Sequence, residues 1–383
     1  MPKKVAVLGS TGSIGKQTLE VLAELAPDYR VAVLSANRSA DLMAIQAKQF
    51  KPELVVLSDP EAANMFERSV GRDFCRLESG AGGQVLAACW PGVEIVVVAL
   101  VGFSGFESVV AALEAGKTVA LANKEALVVG GEFLEKRGLL RRGKLIPVDS
   151  EHSAIWQCLG DTPSGQVSRI WLTASGGPFR DWPGDQMEQV TLKQTLNHPN
   201  WCMGPKITVD SATLMNKGFE VLEAKWLFGL ELDQIRVVIH PQSIVHSAVE
   251  YIDGSIIAQL GLPDMRLPIQ YALTYPIRVK NRWPKLNIFG QSWVFHEPDR
   301  KRFPCLDLAY RAGKTGGTAA ACLNAANEVA VEYFLKGKLS FSAIPKVIKA
   351  ILDEFRPVGL PELEDIVAAD SWARKATQDY IAG

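Results

Sequence analysis

Two acidic side chains stand two residues apart after a short apolar run, at Asp149 and Glu151 in the segment PVDSEHSAIWQ. Carboxylate oxygens are the ligands that Mg²⁺ and Mn²⁺ prefer, and an extended backbone would direct both carboxylates toward one cation. Glu220 is a candidate third ligand, because it shares a polar helical stripe with Asn216 and Glu223. The pattern favours a divalent-metal site, whereas each acidic residue taken alone is more often a solvated or capping group.

Groups that can bind an anion occur in the following segments. Ser175 precedes two glycines in TASGGPF at 173–179, which exposes backbone amides. Ser211 is predicted at a helix start, where free N–H groups and the helix dipole favour an anion, and Asn216 and Lys217 add an amide and a cation. These residues predict a phosphate site. The simpler alternatives are a helix cap for Ser211 and a surface charge for Lys217.

The loop HPNWCMG at 198–204 carries an imidazole at His198 and an indole at Trp201 between proline and glycine. Such a loop can close over a ligand and exclude water, which predicts a flap. The alternative is that Trp201 anchors the loop to the core.

A glycine-rich loop, GSTGSIG at 9–15, follows the first predicted strand and precedes a helix. Glycines permit the tight turn and the close approach to pyrophosphate that dinucleotide binding requires, although an ordinary glycine-rich turn is the alternative. The second predicted strand is followed by SANRS at 35–39, without the acidic residue that often holds the ribose of NAD. We therefore predict NADPH, with Arg38 as a candidate contact of the 2′-phosphate.

The elements that position these residues follow a regular order. Short β-rich runs alternate with helix-compatible stretches up to about residue 150, which predicts an α/β fold with an N-terminal Rossmann-like, doubly wound parallel sheet. Residues 9–12, 123–125 and 149–152 then fall beyond the carboxyl ends of strands, where such sheets bind ligands. The predicted segments are an NADPH-binding domain at 1–149, a catalytic α+β domain at 150–274, a linker at 275–304 and a C-terminal helical bundle at 305–383.

Composition excludes several classes of function. The 41 basic and 42 acidic residues nearly cancel, so no overall field attracts nucleic acid or an anionic membrane. The longest apolar run, at 95–101, is too short to cross a bilayer. The six cysteines lack metal-binding spacing and are expected to be reduced thiols. With no signal-like segment at the start, we expect a cytoplasmic protein.

The motifs together resemble the 1-deoxy-D-xylulose 5-phosphate reductoisomerase family. They are GSTGSIG at 9–15, ANKEALV at 122–128, PVDSEHSAIWQ at 147–157, TASGGPF at 173–179, HPNW at 198–201, VDSATLMNKGFEVLEA at 209–224, HPQSIVHS at 240–247, LPDMRLPIQYALTYP at 262–276 and NAANEVAV at 324–331. The resemblance extends through all the predicted domains and is highly specific.

The resemblance implies conversion of 1-deoxy-D-xylulose 5-phosphate to 2-C-methyl-D-erythritol 4-phosphate in non-mevalonate isoprenoid biosynthesis. It also implies NADPH, a divalent metal (Mg²⁺, Mn²⁺ or Co²⁺), inhibition by phosphonates such as fosmidomycin, and a homodimer. The implied metal ligands are Asp149, Glu151 and Glu220, and these three with Lys124 and His198 form the implied catalytic set. The implied substrate contacts are Lys124, Ser150, Glu151, Ser175, His198, Trp201, Ser211, Asn216, Lys217 and Glu220. The expected cofactor contacts are Thr11, Gly12, Ser13, Ile14, Ala36, Asn37, Arg38, Asn123, Glu125 and Gly204.

Two departures from the family pattern are Cys202, where serine or asparagine is expected, and Phe219, where leucine is expected; they bear on flap dynamics and inhibitor fit. A retro-aldol route and an α-ketol shift would use the same residues, so the sequence leaves both open. The competing functions are a metal-independent NADP semialdehyde dehydrogenase and a non-catalytic NADPH sensor.

Overall fold

The computed structural model describes residues 1–80, 82–141, 143–201 and 203–383. Strands and helices alternate through the first part of the chain, in the order β1 (Lys3–Leu8), α1 (Ser13–Glu24), β2 (Tyr29–Ala36), α2 (Ala40–Phe50), β3 (Leu54–Leu57), α3 (Pro60–Val70), β4 (Arg76–Ser79), α4 (Gly83–Ala88), β5 (Val93–Val98), α5 (Phe106–Glu114), β6 (Thr118–Leu121), α6 (Glu125–Lys136) and β7 (Leu145–Pro147). The later elements are α7 (Ser150–Leu159), β8 (Val167–Ala174), α8 (Leu192–Thr195), α9 (Pro205–Thr213), α10 (Met215–Phe228), β9 (Ile235–Ile239), β10 (Val245–Tyr251), β11 (Ile256–Leu260), α11 (Arg266–Thr274), α12 (Cys305–Thr315), α13 (Ala319–Leu335), α14 (Ala343–Glu354) and α15 (Leu363–Ala382).

The chain divides into two compact units. The first comprises Met1–Asn123, Gly138–Ser153 and Asp264–Trp283, and the second comprises Lys124–Arg137, Ala154–Pro263 and Pro284–Gly383. Compactness thus assigns α11 to the first unit. The division into four segments that we drew from the sequence stays a prediction.

The first unit is built on a seven-stranded parallel sheet with the order β4-β3-β2-β1-β5-β6-β7. Its central strands are apolar and buried on both faces, as the VAVL run of β1 and the VVL run of β3 illustrate. The strand order reverses between β1 and β5, and ligands of such sheets bind at the carboxyl edge near this switch point. The predicted Rossmann-like architecture is confirmed.

A late segment completes the core of the first unit. Ile269, Leu273 and Trp283 are buried with the apolar residues of β1, β2 and β3. The hydroxyl of Tyr29, at the start of β2, donates to the carbonyl of Leu273 at 3.1 Å. Residues far apart in the sequence therefore form one hydrophobic core.

The second unit combines a four-stranded mixed sheet with helices. The sheet order is β11-β10-β8-β9, in which β8 and β9 are parallel and β10 is antiparallel to both of its neighbours. A turn at Asp253-Gly254 joins β10 to β11, and the Asp253 carboxylate accepts a hydrogen bond from the Ser255 amide at 2.9 Å. Helices α12 to α15 bury apolar stripes that include Leu323 and Phe334. The predicted α+β region and helical bundle are both confirmed.

One helix boundary departs from the sequence prediction. The segment from Ser211 to Glu223 reads as a single helix, but Leu214 adopts a left-handed conformation with φ of 59° and ends α9. Ser211 therefore lies in the last turn of α9, and its expected position at a helix start is wrong. Pro205, which follows the extended Gly204, begins this helix earlier than predicted.

None of the helices formed by the described residues is long and apolar enough to cross a membrane.

Candidate active site

The nucleotide loop, residues 9–15, leaves the carboxyl end of β1 at the switch point of the sheet. Gly9 has φ of +83°, and a Cβ on it would stand 2.4 Å from the carbonyl oxygen of Ala99, just beyond β5. The amides of Gly9 and Ser10 donate to the carbonyl of Ser35 at 3.0 and 2.8 Å. A Cβ on Gly15 would lie 2.2 Å from the Gly9 oxygen. Only glycine therefore lets α1 begin this close to β1.

This geometry suits the pyrophosphate of a dinucleotide. Of the predicted contacts, Thr11 and Gly12 form the turn into α1, and Ser13 and Ile14 are its first residues. The first N–H groups of a helix have no partner inside it. Such a helix start binds anions through its amides and its dipole. The residues present therefore fit NADPH.

The candidate 2′-phosphate contact, Arg38, follows Ala36 and Asn37 beyond β2 and is 79 % exposed. Its Nε donates to the Asp59 carboxylate at 3.0 Å. A hydrogen bond from the Ala62 amide at the start of α3, together with Arg38, holds the pKa of the Asp59 carboxyl below its usual range. Arg38 thus already has an anionic partner, with which a bound phosphate would compete.

Asn123 lies two residues after β6 and has a structural role. Its side-chain amide donates to the carbonyls of Leu100 and Gly102 at 3.0 and 2.9 Å, and the residue is fully buried. These hydrogen bonds hold the loop that follows β5, next to the nucleotide loop in the same sheet edge.

The acidic pair after β7 begins a helix rather than continuing a strand, so the expected extended backbone is wrong. Asp149 precedes α7, and its carbonyl accepts the first helical hydrogen bond from the Ser153 amide at 2.8 Å. Glu151 lies in the first turn, where Ser150 donates to its carboxylate. His152 is buried, with Nδ1 3.8 Å from the Asp149 carboxylate. The two acidic side chains therefore stand at a helix N-terminus, a position where acidic residues stabilise a helix.

In the second unit three predicted residues surround the carboxylate of a fourth, Glu220. We call these four residues the Glu220 cluster: Lys124, Asn216, Lys217 and Glu220. The Lys124 Nζ lies 3.0 Å from both the Glu220 carboxylate and the Asn216 side-chain oxygen. Lys217 and Asn216 also donate to Glu220. Glu220 is only 1 % exposed.

The break at Leu214 explains this arrangement. Because α10 restarts at Met215, Asn216 and Lys217 occupy its first turn and Glu220 its second. The three side chains share one helical face at spacings of three and four residues. A buried carboxylate held by two ammonium groups costs less to keep charged, since the cations offset the lost hydration.

In the predicted flap, of which residues 198–201 and 203–204 are described, His198 accepts hydrogen bonds from the backbone that follows it. Nδ1 of His198 accepts hydrogen bonds from the amides of Asn200 and Trp201 at 3.2 and 3.0 Å. Because Nδ1 accepts twice, the ring proton is on Nε2, which donates to the Ser175 hydroxyl at 3.0 Å. Burial, with Arg180 nearby, lowers the pKa of His198 to about 4. His198 is therefore neutral at physiological pH.

Further contacts tie the flap to the mixed sheet. The Asn200 amide donates to the carbonyl of Pro241 and to the Ser243 hydroxyl at 2.7 and 2.8 Å. The Trp201 ring centroid lies 6.4 Å from that of His246. Cys202, one of the two departures from the family pattern, lies outside the described residues.

The loop after β8, which the sequence predicts to bind an anion, packs on the end of α9. The Gly177 amide donates to the Ser175 hydroxyl at 3.2 Å, and a Cβ on Gly177 would be 2.9 Å from the Ser211 carbonyl oxygen. Ser175 and Ser211 therefore belong to neighbouring backbone segments, as a shared phosphate site requires.

Sequence reasoning missed Lys206 and Asp210. The Lys206 Nζ lies 2.8 Å from the Glu125 carboxylate and 2.9 Å from that of Asp210. We call these three residues the Lys206 bridge. The spacing of four residues between Lys206 and Asp210 was visible in the sequence, but nothing there marked Glu125 as their partner.

His240 has a structural role. Its Nε2 accepts hydrogen bonds from the amides of Ile244 and Val245 at 3.1 and 3.2 Å, and its Nδ1 lies 3.0 Å from the Val294 carbonyl oxygen.

A parallel sheet with a glycine loop at its switch point, accompanied by a unit rich in buried cations and carboxylates, defines a nucleotide-dependent oxidoreductase of anionic substrates. Family models described as 1-deoxy-D-xylulose 5-phosphate reductoisomerase, its C-terminal domain, and DXP reductoisomerase C-terminal domain match residues 5–131, 145–228 and 260–376. The chain belongs to the 1-deoxy-D-xylulose 5-phosphate reductoisomerase family.

Individual relatives agree over the whole length. The reductoisomerase of Pelotomaculum thermopropionicum is 54 % identical over 374 residues, which cover 97 % of each chain. The structure of the Zymomonas mobilis enzyme in complex with NADPH is 40 % identical, has a TM-score of 0.91, and covers 100 % of this chain and 99 % of that one. A DOX-P reductoisomerase in complex with NADPH, fosmidomycin and magnesium is 40 % identical, with a TM-score of 0.92 and coverage of 99 % and 98 %.

Proposed function

We infer that this chain converts 1-deoxy-D-xylulose 5-phosphate to 2-C-methyl-D-erythritol 4-phosphate with NADPH and a divalent metal ion, a step of non-mevalonate isoprenoid biosynthesis. Near-full-length identity to named reductoisomerases carries this conclusion. The solved relatives hold NADPH and magnesium, which are the cofactors predicted from the sequence.

For the metal we propose Asp149, Glu151 and Glu220 as ligands. The donor set consists of hard carboxylate oxygens, which suit Mg²⁺, Mn²⁺ or Co²⁺. Two ligands stand at the start of α7, and the third is a buried carboxylate fixed by its neighbours. A divalent cation bound there supplies a Lewis acid for the substrate carbonyl and its neighbouring hydroxyl.

For the substrate we propose two groups of contacts. Ser175, Ser211, Asn216 and Lys217 bind the phosphate and hydroxyl groups, since hydroxyls, an amide and an ammonium group occur there on fixed backbone. Lys124 and Ser150 orient the reacting end, and His198 and Trp201 close the flap over it. A neutral His198 keeps a hydrogen-bond donor on Nε2 without adding charge to the closed site.

For NADPH we propose that the nucleotide loop binds the pyrophosphate through Thr11, Gly12, Ser13 and Ile14. The remaining cofactor contacts that we propose are Ala36, Asn37, Arg38, Asn123, Glu125 and Gly204. Arg38 supplies the cation for the 2′-phosphate, and no acidic residue occupies the SANRS segment at 35–39.

The same proposal extends to assembly, inhibition and location. The edge strand β11 exposes Ile256 and Ile257, an apolar surface that supports the expected homodimer. Fosmidomycin is bound by a solved relative, and we propose that it inhibits this enzyme. The described cysteines are free thiols, which supports the proposal of a reducing, cytoplasmic location.

The decisive experiment follows NADPH absorbance with purified protein and 1-deoxy-D-xylulose 5-phosphate, with and without added Mn²⁺ or Mg²⁺. We expect NADPH loss only when substrate and metal are both present, and fosmidomycin should abolish it. Substrate-independent binding of NADPH without oxidation would instead identify a sensor, and turnover of a semialdehyde without metal would identify a dehydrogenase.

A further inference from the structure

Two consecutive residues at the start of α6 hold two different helices. Lys124 contacts Glu220 and Asn216 of α10 through its ammonium group. Glu125, the next residue, contacts Lys206 of α9 at 2.8 Å. The segment that carries the proposed catalytic lysine is therefore also attached to the helix that follows the flap.

The Lys206 bridge extends this attachment into the helical bundle. Lys206 pairs with Asp210 one turn later in α9, and Asp210 in turn accepts a hydrogen bond from the Asn327 amide of α13 at 2.8 Å. The Asp210 side chain is 2 % exposed and that of Lys206 is 19 % exposed. One ammonium group thus joins two largely buried carboxylates, Glu125 of α6 and Asp210 of α9.

The charges of the bridge are mutually stabilised. Burial opposes the charged form of Lys206, but the carboxylates of Asp210 and Glu125 raise its pKa above the ordinary value. Burial likewise opposes ionisation of Glu125, yet Lys206 lowers the pKa of this carboxyl. Removing Lys206 would leave the carboxylates of Glu125 and Asp210 buried without their shared counterion, which is far costlier than the loss of a surface ion pair.

The position of α9 gives the bridge its significance. Gly204 ends the flap and caps α9, so Lys206 lies two residues beyond the flap. Ser211, a proposed phosphate contact, occupies the last turn of the same helix. A rigid helix of nine residues therefore connects the flap to the phosphate site, and Lys206 fixes that helix to the Lys124 segment.

We propose that Lys206 is a positioning residue, which through Glu125 and Asp210 holds α9, and with it the flap hinge and Ser211, in register with Lys124. The inference rests on the roles proposed above for Lys124 and the flap. A buried ion pair contributes little net stability compared with apolar packing, and its better-attested use is to specify one arrangement of its elements. Small displacements of catalytic groups are costly, because turnover depends steeply on their alignment.

Glu125→Gln is the sharpest test, because it leaves Lys206 paired with Asp210 and weakens the link to the Lys124 segment. We expect kcat to fall about tenfold to 100-fold, the range typical of residues that orient catalytic ligands. NADPH affinity in Lys206→Met, which removes no proposed cofactor contact, should change less than about twofold, a difference too small to signal a lost charged hydrogen bond. Hydrogen exchange in residues 198–204 should rise in the complex with NADPH, metal and fosmidomycin. Lys206→Met should show the same pattern more strongly, and Lys206→Arg should retain most of the turnover.

Arg311→Met is the matched control. Arg311 of α12 pairs with Asp353 of α14 at 2.6 Å, so its loss removes a cation from the same unit and leaves the described contacts of the Lys206 bridge in place. It should lower the melting temperature but leave kcat and flap exchange unchanged. If Glu125→Gln and Arg311→Met lower kcat alike, the bridge serves stability only and the proposal fails.

Three other outcomes would count against the proposal and are separable. A Glu125→Gln variant that loses only NADPH affinity would assign the carboxylate to the cofactor. Lys124→Met tests the proposed active site itself. Near-normal turnover in that variant would refute it. A large loss in Lys124→Met, with Lys206→Met and Glu125→Gln both active and their flap exchange unchanged, would refute the positioning role alone.

Discussion

The nucleotide loop forms its site from backbone atoms, whereas the Glu220 cluster forms its site from side chains. The loop presents backbone amides, and its fit depends on the absence of side chains at Gly9 and Gly15. The cluster presents side chains, and its fit depends on charges that hold one another in a buried place. The first site should therefore be sensitive to added volume, and the second to changed charge, even when volume is conserved.

The largest effect should come from a change of charge without a change of size. Glu220→Gln keeps the shape of the side chain but removes the anion between Lys124 and Lys217. We expect turnover to fall at least about 100-fold, since a lost metal ligand exceeds the cost of a lost supporting residue. Excess Mn²⁺ should restore only part of the activity.

Stopped-assay kinetics and calorimetric metal titration check this prediction. NADPH binding and the fold should survive, as should the activity of Glu332→Gln, a control that removes an exposed glutamate from α13. Unchanged metal affinity together with near-normal turnover would remove Glu220 from the metal site.

The second effect should come from a change of volume without a change of charge. Gly15→Ala places a methyl group 2.2 Å from the Gly9 oxygen, so the loop must shift. Overpacking of this kind costs about 1–3 kcal/mol, which corresponds to a loss of NADPH affinity of about fivefold to 150-fold.

Fluorescence titration of NADPH measures this loss. Gly165→Ala is the control, since its Cβ would meet open space. Metal affinity should stay as in the unchanged protein. Equal NADPH affinity in the two variants would show that the loop tolerates side chains, and the comparison between the two sites would lose its basis.

A smaller effect should appear where a side chain assists the backbone-built site. Arg38→Ala should raise the NADPH Michaelis constant about tenfold, because a charge-assisted hydrogen bond to the 2′-phosphate is lost at an exposed position. The value for NADH should not change. Arg72→Ala, which breaks another exposed ion pair of the first unit, should affect neither cofactor. Equal catalytic efficiencies with NADPH and NADH in the unchanged enzyme would contradict the role of Arg38.

The smallest effect concerns a side chain that must stay uncharged. The pKa of His198 is lowered to about 4 by burial, so the unfolded chain binds more protons between about pH 6.5 and 4. The stability supplied by neutral His198 is present above pH 6.5 and is lost as the pH falls toward 4. Between pH 7 and 5 this loss should be about 1 kcal/mol after allowance for solvent screening. Urea unfolding of His198→Gln should lack this pH-dependent loss of stability. If the free energy of unfolding depends on pH identically in both proteins, the prediction is contradicted.

Much of the architecture was predictable because it follows from local patterns. The apolar runs of β1, β3 and β5 alternate with helices, and this order alone predicts a parallel sheet. The glycine loop was recognisable because its spacing and its place after β1 are local as well.

What the sequence did not reveal depends on contacts between distant segments or on a single backbone angle. The left-handed Leu214 divides a continuous helical pattern, and leucine carries no signal for that conformation. We considered an extended backbone at Asp149, but the residues that follow it form the first turn of α7. The Lys206 bridge joins residues 81 positions apart, which no periodicity can relate.

The return of α11 to the first unit has a consequence for synthesis. Ile269, Ala272, Leu273 and Trp283 fill the core of a sheet whose first strand begins at Lys3. On the ribosome, that sheet cannot exclude water from its core until translation has passed Trp283, when most of the second unit has also been made. A fragment that ends at Pro263 would leave the apolar partners of α11 exposed and should aggregate, so the nucleotide-binding unit cannot be isolated by simple truncation.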